Sequence, residues 1–216
     1  MKALSVVSAL ASLVIGFLPT QLAERSATTT PSYCRAIEST RTVDSIPPGY
    51  AAISVDVINA DCSINHQPPM FIAQGDIGTV RNVHPKVVLA KGGRDPLAVG
   101  WLYQWLRDGA GLELNELQLS VSWTYTVGGA LGEAMAVVYP EYAQDGWSST
   151  NITVSYPAAG TAKGHGEFLF SGGFHNYYDN TVVYNDTGGA TCTWTYHFDQ
   201  GFPGWSFSNL CWSTHT

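Results

Sequence analysis

The chain has 216 residues and a formal net charge of -7, with only 12% of its residues charged and 45% hydrophobic. Those numbers fit one domain with a sizeable core and are incompatible with wholesale disorder. The acidic balance argues against a nucleic-acid partner, which would require clustered Lys and Arg to neutralise phosphates.

From the start of the chain, Met1 and Lys2 precede a nearly charge-free run from Ala3 to Leu18, closed by Pro19. This is the charge and length pattern of an export signal. The expected organisation is a signal peptide over 1–23, cleaved after Ala23, a short linker over 24–32, and one disulfide-stapled domain over 33–216. No interior run reaches the roughly 18–20 apolar residues of a membrane span, so no transmembrane segment is expected once the signal is removed. The expected location is secreted and extracellular. Asn151-Ile152-Thr153 and Asn185-Asp186-Thr187 are glycosylation acceptor triplets, which makes Asn151 and Asn185 the expected glycan carriers of such a protein.

Four cysteines suit an oxidising compartment. Cys34, Cys62, Cys192 and Cys211 allow three pairings, and spacing does not choose among them. The strand pattern does. Cys192, Trp194, Tyr196 and Phe198 share one face of a strand over 191–198, and Trp205, Phe207, Asn209 and Cys211 share one face of a strand over 205–211. Folding the two about 199–204 as a hairpin sets Phe198 against Trp205, Tyr196 against Phe207 and Cys192 opposite Cys211. A Cys192–Cys211 bond follows, with Cys34–Cys62 left by elimination.

The remaining elements are mostly strands. An unbroken period of two over 117–127 marks a half-buried antiparallel strand. Further strands are predicted over 50–58, 70–73, 78–83, 86–90, 133–139, 151–156, 167–171 and 181–184, punctuated by 22 glycines and 11 prolines. One helix is predicted near 95–108: Asp95 suits the N-cap, Pro96 the first turn and Gly109 the stop, while Leu97, Trp101 and Trp105 recur every four residues. The expected fold class is therefore all-β, a mostly antiparallel β-sandwich or jelly roll with one short apolar helix.

The chemistry-bearing residues are thinly spread. No Gly-x-Ser-x-Gly elbow is present, and pairing of all four cysteines leaves no thiol nucleophile. His165, His175 and His197 would form a three-histidine centre if one sheet face gathered them. Without a ligand spacing that specifies an ion, no metal or cofactor is expected. Glu133 and Glu167 are the strand acids that could flank a glycosidic bond. The densest signal is aromatic: residues 147–216 hold 15 of the chain's 26 aromatics and few charges. Sugar rings present apolar faces ringed by hydroxyls, so flat aromatics beside Asn, Asp and His point to a glycan. The segment 174–180, read as a loop after Gly172-Gly173, supplies that set. Its expected ligand contacts are His175, Asn176, Tyr177, Tyr178, Asp179 and Asn180, with the tyrosines stacking on sugar.

These residues are read together as a secreted β domain that binds carbohydrate, its partner a neutral glycan or another cell-surface molecule. One alternative is an extracellular polysaccharide hydrolase or lyase using Glu133 and Glu167 or a histidine-bound metal; no motif decides whether the chain is an enzyme. Another is a structural or host-interaction protein without a small ligand, its helix 95–108 offering an apolar patch.

Overall fold

The computed structural model describes residues 33–81, 83, 97–126, 129–142 and 145–215. The expected signal peptide, linker and strand over 86–90 lie outside those residues, as do Asp95 and Pro96. In chain order the elements are β1 (Cys34–Val43), β2 (Tyr50–Ile58), β3 (Ile64–His66), β4 (Met70–Ala73), a short helical turn α1 (Ile77–Val80), β5 (Leu97–Arg107), β6 (Glu113–Tyr125), β7 (Leu131–Tyr142), β8 (Trp147–Ala158), β9 (Thr161–Phe170), β10 (His175–Tyr184), β11 (Ala190–Gly201) and β12 (Ser206–His215). They form two antiparallel sheets. The five-stranded sheet runs β1-β11-β10-β9-β8, and the seven-stranded sheet runs β3-β2-β12-β5-β6-β7 with β4 paired to β2.

The all-β sandwich expected from the sequence is what forms, with two elements reassigned. The helix expected near 95–108 is strand β5 over its described part. A spacing of four is even, so Leu97, Trp101 and Trp105 fall on one face of a strand just as they fall on one face of a helix. Residues Ala98 to Leu106 are all buried, because both faces of β5 are covered, and a strand buried on both sides loses the alternation that would identify it. The apolar patch expected of that helix goes with it, since Trp101 is 8% exposed and Trp105 1%. Conversely, the strand expected over 78–83 overlaps α1, where Ile77 and Val80 lie three residues apart on one helical face.

Most of the core lies between the sheets. β9, β10 and β11 alternate buried and half-exposed residues along most of their lengths, and their inward residues include the fully buried Phe168, Tyr178, Trp194, Tyr196 and Phe198. Gly164 and Gly166 sit on the inner face of β9, where a Cβ would come within 2.5 Å of Val138 and Leu117 respectively. They let the sheets close up there and leave His165 between them pointing outward. A second core covers the far face of the seven-stranded sheet. Val99, Trp101, Tyr103, Trp105 and Trp212 pack there with Ile77, and Ile72, Val80 and Val83 lie against them.

Both expected disulfides are present, Cys34–Cys62 and Cys192–Cys211, with Cα separations of 5.4 and 6.4 Å. The expected hairpin between 191–198 and 205–211 is not. β11 lies between β1 and β10, and β12 lies between β2 and β5, so the two strands belong to opposite sheets and the Cys192–Cys211 bond crosses the sandwich. Their apolar faces still meet: Phe207 stacks on Tyr196 at 4.1 Å and on Phe198 at 4.3 Å. The facial assignment holds and the mode of pairing differs. Asp56 on β2 makes another tie between the sheets. Fully buried, it accepts hydrogen bonds from Arg41 on β1 at 2.7 Å and from the Tyr196 hydroxyl on β11 at 3.1 Å.

Candidate functional site

From His175 onward the segment 174–180 is the start of β10, not a loop, and this splits the six expected ligand contacts by parity. His175, Tyr177 and Asp179 face outward and are half-buried, whereas Asn176, Tyr178 and Asn180 face the core with no exposure at all. The Tyr178 hydroxyl donates to Asn115 Oδ1 at 2.5 Å, and the Asn180 amide donates to the Leu117 carbonyl at 3.3 Å. Burial also pushes the Tyr178 phenol well above its ordinary range. These three residues build the sandwich interior and are out of reach of a surface ligand.

The outward three join a polar track on the open face of the five-stranded sheet. Asp179 lies 3.0 Å from His165 Nδ1, and Glu167 bridges His165 Nε2 at 3.4 Å and His175 Nε2 at 3.1 Å. The Tyr177 hydroxyl sits 2.7 Å from His175 Nδ1, and its ring packs edge-on to His197 at 5.5 Å. Burial would raise the Glu167 carboxyl, but hydrogen bonds from Asn151, His165 and His175 outweigh it and hold the group below its usual value. The three histidines do share one face. Glu167 stands between His165 and His175, however, and Tyr177 stands between His175 and His197. Among the described residues no group of three His, Cys, Asp or Glu side chains is arranged to hold a metal ion. Glu133 and Glu167 do not form a catalytic pair. Glu133 is on β7 of the seven-stranded sheet, beside the inward Ala134 and Ala136, while Glu167 lies on the outer face of the other sheet. Both glycosylation triplets present exposed asparagines, Asn151 and Asn185.

A concave site lies elsewhere, at one end of the sandwich. Four connections converge there: the β5–β6 turn, the entry to β8, the β9–β10 turn and the link from β11 to β12. Asp108 shapes the first, its carboxylate accepting backbone N–H bonds from Ala110 at 2.9 Å and Leu112 at 2.8 Å. The second and third are joined by a hydrogen bond from Ser171 N to the Gly146 carbonyl at 2.8 Å. Gly146 has a φ of +90°, and a Cβ there would meet the Phe170 ring at 2.9 Å, so only glycine permits this approach. The fourth is held to β2 by Gly204 N donating to the Ile58 carbonyl at 2.8 Å.

The result is a cleft of about 420 Å³ lined by Trp147, Phe170, Phe174, Phe202, Trp205, Leu112, Leu114, Asp108 and Asp145. Its rings form a continuous arc. Trp147 meets Phe170 at 5.3 Å, Phe170 stacks on Phe174 at 5.4 Å, Phe174 meets Phe202 edge-on at 5.3 Å, and Phe202 meets Trp205 at 4.9 Å. The volume lies within the usual range of about 300–1,000 Å³ for small-ligand sites. Sequence reasoning located the aromatic enrichment of 147–216 but did not single out the rings that line this cleft. The available signal was local: Phe170 and Phe174 bracket Ser171-Gly172-Gly173, Phe202 and Trp205 bracket Pro203-Gly204, and Trp147 follows Asp145-Gly146. Aromatics that flank turns are well placed to line the end of a sandwich.

A further charged cluster escaped the sequence reading. Arg81, just past α1, forms ion pairs with Glu113 and Glu116 of β6, and its guanidinium lies 4.6 Å over the Trp105 ring. Burial pushes the Glu116 carboxyl up to about 7, against the attraction of Arg81. Only 3% of the Glu116 side chain is exposed, so this cluster fastens the α1 segment to the sheet and is not an open site.

The fold and cleft together define an all-β sandwich with two disulfides and an aromatic end-site. No family model, no curated protein and no solved structure matches the chain. No helix among the described residues is long and apolar enough to cross a membrane.

Proposed function

We propose that the chain is a secreted carbohydrate-binding β-sandwich whose glycan seats in the end cleft. The observation that carries this reading is the arc of five contiguous rings beside two carboxylates. Aromatic faces stack on the apolar faces of pyranose rings, and carboxylate oxygens accept hydrogen bonds from sugar hydroxyls. Two disulfides and the charge-poor leader suit an extracellular setting, and glycans on Asn151 and Asn185 belong to the same reading.

The test is retention on a panel of insoluble polysaccharides by the protein and by its Phe174→Ala and Phe202→Ala variants. Both side chains are only half-buried, so their truncation costs less stability than loss of a core ring. Each variant is expected to bind about tenfold more weakly, the scale of one lost aromatic contact of about 0.5–1.5 kcal/mol, while melting within a few degrees of the parent. Undiminished retention in both variants would move the site away from the cleft.

A further inference from the structure

We infer that the glycan taken by the cleft is cationic, a polymer of amino sugars with free amines. This rests on the carbohydrate reading above and narrows it to a chemical class. The charged side chains lining the cleft are Asp108 and Asp145, and no Lys, Arg or His lines it among the described residues. The one basic neighbour in sequence, Arg107, turns away to the outer face of the seven-stranded sheet, with its guanidinium 5.7 Å from the Trp105 ring. Two carboxylates without a counter-cation therefore face a wall of rings whose π-faces are themselves negative. A neutral sugar would gain stacking but leave that negative potential unbalanced. An ammonium group on the pyranose ring gains the stacking, the carboxylates and the ring quadrupoles together. The chain's net charge of -7 acts in the same direction at longer range, drawing a polycation toward the surface.

Titration calorimetry with the full chain tests this, using glucosamine oligomers, N-acetylglucosamine oligomers of equal length and tetramethylammonium, below the pKa of the sugar amine. The amine oligomer is expected to bind about tenfold more tightly than its acetylated counterpart, the scale of two solvent-screened charge pairs. That preference should shrink as salt is added. Asp108→Asn and Asp145→Asn together should abolish it; asparagine at 108 keeps the oxygen that accepts from Ala110 and Leu112, so the turn is preserved. Equal affinity for the two oligomers would overturn the charge inference and leave the carbohydrate reading standing. Binding of neither would overturn both. Tetramethylammonium binding as tightly as the amine oligomer would also overturn both, because the cleft would then recognise charge without sugar.

Discussion

Glu116 shows how much one side chain's surroundings decide. On paper it is one acid among many in a strand; in the fold it is buried beside Arg81, and that burial pushes its carboxyl up to about 7 from 4.5. A group that holds its proton more tightly when folded stabilises the protein at low pH. That contribution is lost as the pH rises from about 4.5 to about 7. Denaturant unfolding at intervals across this window should show a decline on the order of 1–3 kcal/mol attributable to this residue. Glu116→Gln mimics the neutral acid and should flatten the decline; an unchanged slope would assign it to other groups. At the same scale the tyrosine pair at 177 and 178 separates cleanly. Adjacent in sequence, one lies on the open sheet face and the other hydrogen-bonds Asn115 in the core, because neighbouring residues in a strand point to opposite sides.

At the scale of elements, β5 and α1 exchange the roles expected of them. The run from Ala98 to Leu106 satisfies a helical pattern and a doubly buried strand equally well, and pairing with β6 and β12 decides in favour of the strand. The segment after β4 then becomes the cover of the far sheet face, and Arg81 fastens it there. With the Arg81 side chain 10% exposed and that of Glu116 3%, removing the cation at a pH above about 7, where Glu116 is otherwise ionised, strands a buried carboxylate. Arg81→Met is therefore expected to cost about 3–5 kcal/mol. Chemical denaturation would measure that loss, and restoration of most of it in Arg81→Met/Glu116→Leu would tie it to the buried charge. A loss near zero in the single variant would show that the apolar contacts of Ile77 and Val80 hold the segment unaided.

At the scale of the molecule, both disulfides join one sheet to the other. Cys34 of β1 bonds Cys62 after β2, and Cys192 of β11 bonds Cys211 of β12. They clamp the sandwich at separate places. Peptide mapping without reduction should recover these two pairs, and Cys192→Ala/Cys211→Ala should lower stability by about 2–4 kcal/mol while leaving the Cys34–Cys62 pair intact. A Cys34–Cys211 peptide would contradict the topology outright.

The cysteine pairs came out as expected although the hairpin they were derived from does not form. Alternation along the chain was enough to determine which residues of β11 and β12 face the core and to indicate the all-β class, and composition gave the aromatic wealth of the C-terminal third. These are local properties, set by a side-chain period of two and by turn residues at the ends of strands. Tertiary structure alone decided that β11 and β12 belong to opposite sheets, that β5 is covered on both faces, and that four turns distant in sequence meet around one cleft. Each of these depends on which strand pairs with which. Backbone hydrogen bonds of that kind form equally well between many partners, and only the packing of the whole core selects among them.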